Sequence, residues 1–519
     1  MDMTRRFFIG GGAAATLGAF GGCRFMPFFG ADPSNPNLVF GVVSDIHITH
    51  VGADEPMANW GNNLTFRHTL EWFRDQGVDA VMIVGDMADL GMVSQLEAVA
   101  QAWYSVFPDD KLPDGRRVEK LFVYGNHDFD GYLYGNYAQR VYDQARANAK
   151  DATKFPEFAA WSREHVLRAD PAGWWKKIFH EDYSRLYKKT VKGYTFLGQH
   201  WDDGTGMEKG YGNCRFGVEL QAFLDVNGKS LDPDQPFFYF QHPHPKDTCY
   251  GSWAWGHDEG LSTKALTPYA NAIAFSGHSH YPLTDDRSIW QGAFTSVGTS
   301  SLRYTTPMVE RQAPAGYENT YTEGPKAGEY DSVKAMPTYP GTGDCRQGML
   351  WSVYDDRIVV RRREFLSNLD VGPAWVMPLP AAESRPFAFA ERAKKAKAPQ
   401  FAAGASVTVR QLKAKTRGGV EKDCVELVFP PADAVADARV IEYEVKAFGA
   451  DGQTAAFHVL AEGFNHAPAH ARAQANSSCR VSLDRLPAGT TRFEVTPLDT
   501  WCTRGKPLSV KFKVETTVA

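Results

Sequence analysis

Hydrophobic and polar positions follow two regimes along this chain, with a change near residue 401. In the first, short unbroken apolar runs stop at a tight turn and are followed by Asp, Asn or His. Leu38-Val39-Phe40-Gly41-Val42-Val43 leads to Asp45 and His47, and Val81-Met82-Ile83-Val84 leads through Gly85 to Asp86 and Asp89. Leu121-Phe122-Val123-Tyr124 leads to Gly125-Asn126-His127-Asp128. Phe237-Phe238-Tyr239-Phe240 leads to His242, and Ala272-Ile273-Ala274-Phe275 leads to Gly277-His278-Ser279-His280. Runs of this length bounded by turn residues read as buried strands. Between them the period becomes helical. Thr65 to Gln76 carries Leu70 and Phe73 among polar residues, and Ser94-Gln95-Leu96-Glu97 has the form of a capping box opening a helix with Leu96, Val99, Ala100 and Trp103 on one face. Alternating strands and helices predict a layered α/β domain, and in such sheets ligands gather at the carboxyl ends of the strands. All five chemistry-bearing motifs fall at such ends.

In the second regime apolar and polar residues alternate one by one: Ser406-Val407-Thr408-Val409, Cys424-Val425-Glu426-Leu427-Val428, Val440 to Val445, Arg492 to Val495 and Leu508 to Phe512. Short alternating strands separated by turn residues predict an all-β, fibronectin-III-like sandwich over residues 401–519. His458, His466 and His470 are scattered there and read as surface residues; they suggest no metal cluster.

The remaining stretches set domain boundaries. Residues 1–23 read as a targeting segment: Thr4-Arg5-Arg6-Phe7-Phe8-Ile9 resembles a twin-arginine export signal, and the following apolar stretch is shorter than a bilayer span of ~20 residues. It ends in Phe20-Gly21-Gly22-Cys23, a loose lipoprotein box in which Cys23 would be the lipid anchor to a membrane. Residues 24–37 form a proline-rich tether, and 38–366 the main domain. Within it, 129–236 reads as a helical insertion whose Tyr132, Tyr134, Tyr137, Trp161, Trp174 and Trp175 pack helices. Thr248 to Asp258, aromatic and punctuated by glycine, is expected to border the site. Residues 307–344 read as a surface loop and 367–400 as a linker.

Composition narrows the function more than the fold. A formal net charge of -5 argues against a nucleic-acid polymer as partner, and Arg361-Arg362-Arg363 reads as a solvated edge. The cysteines beyond Cys23, at 214, 249, 345, 424, 479 and 502, include no C-x-x-C pair, which argues against a zinc ribbon. The donors that do recur in register are carboxylate, amide and imidazole: Asp45, His47, Asp86, Asn126, His242, His278 and His280. Such a mixture suits Mn, Fe, Zn or Co.

These motifs together, from Asp45-Ile46-His47 through Gly85-Asp86, Gly125-Asn126-His127-Asp128 and His242 to Gly277-His278-Ser279-His280, resemble the five signature blocks of the calcineurin-like metallophosphoesterase superfamily. The resemblance spans roughly residues 38–300. It implies a four-layer α/β/β/α sandwich and two divalent metal ions: one held by Asp45, His47 and His280, the other by Asn126, His242 and His278, with Asp86 bridging. It further implies hydrolysis of a phosphate-ester small molecule by in-line attack of a metal-bridging hydroxide. His127 would protonate the leaving oxygen, and Asp128 would orient its ring. Asp89 is expected to hydrogen-bond behind the ligands, at the position where purple acid phosphatases place a metal-binding tyrosine. Where relatives commonly carry proline, this chain has His244, which is expected either to contact substrate or to replace His242 as the ligand. The leading expectation is an exported phosphoesterase, periplasmic or at the cell surface, with a cyclic-nucleotide phosphodiesterase and a scavenging phosphomonoesterase as specific forms. A surface-anchored binding protein with a structural metal site is the alternative.

Overall fold

The computed structural model describes residues 35–48, 61–129, 137–201, 216–251, 254, 256–305, 317–318, 345–415, 421–435 and 438–515. The targeting segment with Cys23, nearly all of the tether and of the 307–344 loop, and Tyr132, Tyr134, Cys214, Trp253 and Trp255 lie outside these residues.

Two mixed sheets lie face to face. The first contains β1 (Leu38–Val43), β2 (Ala80–Val84) and β3 (Glu119–Val123), all parallel. The second contains β4 (Leu186–Val191), β5 (Tyr194–Gln199), β6 (Phe237–Phe240), β7 (Ala272–Ser276), β8 (Ile289–Gln291) and β9 (Thr295–Gly298) in the order β4-β5-β6-β7-β9-β8. The chain then returns to the first sheet with β10 (Gln347–Val353), β11 (Arg357–Glu364), β12 (Leu369–Asp370) and β13 (Trp375–Pro378), all antiparallel. Phe40 sits at the centre of the space between the sheets. Its ring lies 5.4 Å from Phe196, 5.1 Å from Phe238 and 5.8 Å from Trp351. Because both faces of β1, β2, β6 and β7 are covered, their sequences are unbroken apolar runs rather than alternating ones.

Helices α1 (Gly61–Asp75), α2 (Val93–Val106), α3 (Tyr137–Ala147), α4 (Phe158–His165) and α5 (Pro171–Phe179) follow one another through the first half of the domain. Leu70, Phe73, Leu96, Val99, Trp103, Trp175 and Phe179 of α1, α2 and α5 share an apolar cluster with Val81, Ile83 and Phe122 on the outer face of the first sheet. Helices α6 (Val218–Asn227) and α7 (Leu261–Leu266) cover the outer face of the second, through Leu220, Leu224, Ala265 and Leu266. The layering is α/β/β/α, as expected.

Three boundaries differ from those expected. The capping-box residues lie inside α2: the helix starts at Val93, and the side chain of Gln95 accepts from the amides of Leu90 and Met92. The insertion is narrower than 129–236, because β4 and β5 belong to the second sheet, β5 pairing with β6. The stretch 367–400 is not a free linker: β12 and β13 both pair with β11. The arginine run alternates across β11, so Arg362 turns inward, donating to the carbonyls of Leu283 and Pro373.

The C-terminal region adds β14 (Lys397–Gln400), β15 (Thr408–Lys415), β16 (Glu421–Phe429), β17 (Asp433–Val435), β18 (Val440–Phe448), β19 (Thr454–Leu460), β20 (Ser477–Ser482), β21 (Arg492–Asp499) and β22 (Leu508–Lys511). Two antiparallel sheets, β15-β16-β20 and β19-β18-β21-β22, enclose one core containing Leu427, Tyr443, Val445, Val459, Val481 and Val495. This all-β domain is docked by polar contacts. Asp286 accepts from the Arg439 amide at 2.9 Å and the Thr500 hydroxyl at 2.8 Å, while the Arg439 guanidinium donates to the carbonyls of Phe464, His466 and Val371. The described cysteines, 249, 345, 424, 479 and 502, are not bridged. Among the described residues no helix is long and apolar enough to cross a membrane.

Candidate metal centre

The carboxyl ends of β1, β2 and β3 in one sheet and of β6 and β7 in the other open on the same place. The first two turns are tied to each other: the amides of Asp45, His47 and Ile48 donate to the carbonyls of Gly85, Asp86 and Met87 at 3.1, 2.9 and 2.9 Å. Asp45, His47, Asp86, His278 and His280 all have left-handed backbone, with φ between 47 and 70°. That conformation costs an ordinary side chain about 1–2 kcal/mol per residue and is easier for aspartate than for histidine. Backbone held there by its surroundings is typical of sites that need an exact direction for a side chain. Gly85 has φ 87°, and a Cβ on it would lie 2.3 Å from His242 Nδ1. The glycine lets β2 and the β6 turn approach.

Three clusters of donors result. One contains Asp45, His47, Asp86 and His280, a second Asp86, His242 and His278, so Asp86 belongs to both; His47, Asp89 and His127 form a third. Its Oδ2 lies 3.6 Å from His47 Nε2 and 3.0 Å from His242 Nε2. Asn126 is buried on the turn after β3. The backbone sets the tautomers. His242 Nδ1 meets the carbonyl of Val84 at 2.7 Å, and His280 Nδ1 meets that of Tyr304 at 3.1 Å. A carbonyl only accepts, so each Nδ1 carries a hydrogen and each Nε2 is the atom turned inward, a metal ligand once it holds no proton. His47 Nδ1 faces the Asp89 carboxylate at 3.1 Å with the same result. The Nε2 atoms of His47 and His280 are then two lone pairs only 3.1 Å apart, with Asp45 Oδ1 3.1 Å from the second. Lone pairs and carboxylates converging like this repel unless a cation lies among them. The donor set fits divalent metal ions.

The electrostatics agree. Burial pushes the Asp45 and Asp86 carboxyls up, but the facing histidines outweigh it and hold both below the usual carboxylate range. Burial draws His47 down to about 4, assisted by the neighbouring His127 ring, and pulls His278 well below its ordinary value. Ionised carboxylates and neutral imidazoles are the states a metal requires. In His242 burial acts downward too, but Asp86 and Asp45 overcome it and raise the ring to about 9. An arriving ion displaces that proton.

His127 stands at the rim, partly exposed, with its ring 4.4 Å from that of His47. Its amide donates to Asp86 Oδ1 at 2.9 Å, and its Nδ1 donates to the carbonyl of Asp89 at 2.8 Å. The expectation that Asp128 orients this ring is therefore corrected. Asp128 is fully buried and accepts from the amides of Ala88 and Gly125, both at 2.7 Å, binding the β2 and β3 turns together. Burial, reinforced by Asp86, raises its carboxyl to about 7. Asp89 lies behind the ligands, between His47 and Arg303. His244 is buried away from the cleft, bonded through Nδ1 to Ser276 at 2.7 Å and through Nε2 to Ser279 at 2.6 Å. It braces the loop that carries His278 and His280, and His242 keeps its place in the cluster. Within Thr248 to Asp258, Gly256 borders the site, since a Cβ on it would meet the His278 ring at 2.7 Å.

Ser44, Arg303 and Tyr304 escaped the sequence reading. Ser44 bonds to Asp45 and to the Ser300 carbonyl, and the Tyr304 ring lies 4.4 Å from that of His280. The available signal was β9, whose apolar-to-polar ending Val297-Gly298-Thr299-Ser300-Ser301 repeats the pattern of the other strand ends; β9 runs parallel to β7, so its end opens on the same site.

Residues 38–282 match the family described as "Calcineurin-like phosphoesterase". No curated protein matches the sequence. Among solved structures the chain is similar to a dimetal phosphatase from Danio rerio (13% identity, 66% of this chain and 99% of that one, TM-score 0.35). It is also similar to a purple acid phosphatase from yellow lupin seeds (12% identity, 66% of this chain and 54% of that one, TM-score 0.34).

Proposed function

Because residues 38–282 are a calcineurin-like phosphoesterase domain, we propose that the chain is an exported hydrolase of small phosphate esters that works with two divalent metal ions. The observation that carries this reading is the convergence of Asp45, His47, Asp86 and His280, with the Nε2 atoms of His47 and His280 3.1 Å apart. Asp45, His47, Asp86 and His280 would hold one ion; Asp86, His242 and His278, with Asn126, would hold the other. Bound ions would supply Lewis-acid polarisation of the phosphoryl oxygens and a water nucleophile of lowered pKa.

The chain's own groups do the rest. The buried ligands, set by their turns before any ion arrives, fix where the phosphoryl group docks. Asp86 holds the His127 amide, and the Asp89 carbonyl fixes the hydrogen on His127 Nδ1. That leaves Nε2 as the atom through which this rim histidine passes a proton to the departing oxygen. Arg303, paired with Asp89 and partly exposed, would offer its guanidinium to a phosphate docked at the rim.

The test is to purify the full chain, measure metal per chain, and assay aryl phosphate monoester and diester hydrolysis with added manganese. Asp86→Ala, which removes the shared carboxylate, is expected to lose both metals and all turnover. A wild-type chain that binds metal but hydrolyses no phosphoester would overturn the reading.

A further inference from the structure

A second set of metal-ligand residues lies at the seam between the two domains. Cys345 precedes β10 and Glu364 ends β11, both on the phosphoesterase side; His466 comes from the turn after β19 of the all-β domain. All three side chains are fully buried. The scattered-surface expectation for His466 is thus overturned: folding brings it against residues more than a hundred positions away in the chain.

Cys345 Sγ lies 3.2 Å from His466 Nδ1 and 3.4 Å from its Nε2, and Glu364 Oε1 lies 3.4 Å from the same Nδ1. This is not the geometry of a catalytic thiol relay. A relay uses opposite nitrogens of the ring, one toward the thiol and one toward the carboxylate, and leaves the sulfur accessible. Here the thiol lies about equally near both ring nitrogens and the carboxylate near Nδ1, in a place no substrate reaches. No single hydrogen bond can tie all three groups together.

A cation can. A zinc ion takes thiolate sulfur at ~2.3 Å and imidazole nitrogen or carboxylate oxygen at ~2.0–2.2 Å, so around a tetrahedron nitrogen and oxygen sit about 3.3 Å apart and sulfur and nitrogen about 3.6 Å apart. The observed spacing of nitrogen and oxygen matches; the sulfur, which now lies beside the ring close to both nitrogens, would swing toward the outer side of Nδ1 to join them. The frame is already rigid. Glu364 Oε2 accepts from the Ala467 amide at 2.7 Å, Gln347 donates to the Asn465 carbonyl at 2.5 Å, and Arg439 donates to the His466 carbonyl at 2.6 Å. The partly exposed His470 stacks on His466, ring centroids 4.4 Å apart and nearly parallel, and covers that ring.

We propose that Cys345, Glu364 and His466 form a structural zinc site, separate from the phosphoesterase centre, that pins the all-β domain to the catalytic domain. Binding releases the thiol proton of Cys345, leaving a thiolate on the metal. The proposal does not depend on the function proposed above.

The donor clusters of the phosphoesterase centre contain no sulfur, so cobalt distinguishes the sites. The full chain, stripped by chelation and reloaded with cobalt(II), is expected to show a near-ultraviolet thiolate-to-cobalt band. Cys345→Ser is expected to lose that band and one metal equivalent while still hydrolysing aryl phosphate. Glu364→Gln, which keeps the shape and neutralises the carboxylate, guards against a Cys345→Ser chain that fails to fold; it should bind the seam metal more weakly. Chelation should then lower the Tm of wild type more than that of either variant. Absence of a thiolate band in the cobalt-loaded wild type, or equal metal content and equal chelation shifts in wild type and variants, would overturn the proposal.

Discussion

Asp86 and His127 sit side by side yet make opposite predictions, because one side chain is buried among donors and the other stands at the rim. His127 groups with His47 and Asp89 at the rim, not with the clusters that share Asp86, and its Nδ1 is committed to the Asp89 carbonyl. His127→Ala is therefore expected to keep the full metal content. Turnover of an ester with a poor leaving group should fall ~10²–10⁴-fold, the usual contribution of a positioned general acid. An aryl ester with a good leaving group needs the proton less and should lose much less. Comparing kcat for the two esters measures the difference; an equal loss on both would remove His127 from the proton-transfer role. At this scale the sequence was most legible for ligand types, since each follows an apolar run by a fixed few residues. It was least legible for side chains that act at a distance. Asp128 adjoins His127 in the chain, but a strand end turns its carboxylate toward the Ala88 and Gly125 amides. His244, two residues after a candidate ligand, faces the serines behind it.

At the scale of elements, the site depends on how closely the turns after β2, β3 and β6 approach. Gly85 is one of the tight points, Gly125 against Asp86 another. Gly85→Ala combines a left-handed φ of 87° with a Cβ 2.3 Å from His242 Nδ1. It is expected to destabilise the fold by about 1–3 kcal/mol and to displace His242, weakening the ion shared with His278 more than the one near His280. Thermal unfolding together with metal analysis reads both effects, and retention of both metals at full affinity would contradict the account. Strand ends were readable because buried parallel strands are continuous apolar runs. β4 and β5 were not, since β4, Leu-Tyr-Lys-Lys-Thr-Val, is an edge strand carrying lysines. β12 and β13 were hidden by their shortness and by the prolines around them.

For the whole molecule, the division into an α/β/β/α domain and an all-β domain was legible because the hydrophobic period changes where the second core begins. What joins them was not, since Asp286, Arg439 and Thr500 meet only after both domains have folded. Export, proposed from Arg5, Arg6 and the apolar stretch after them, belongs to this scale as well. Lysine at both arginines should leave the metal-loaded enzyme in the cytoplasm of a host with twin-arginine export, while the parent appears in the envelope fraction. Fractionation with an activity assay measures this, and an unchanged distribution would count against that route.

The left-handed backbone at Asp45, His47, Asp86, His278 and His280 has a consequence for inheritance. Glycine would rest more easily at each of these places than the histidines do, so function here is maintained against the drift of stability. A descendant released from selection for the site would gain by exchanging these residues for glycine while keeping every strand around them. The loss of the proposed activity would then be recorded in a sounder fold with three smooth turns, after β1, β2 and β7, where the donors had been.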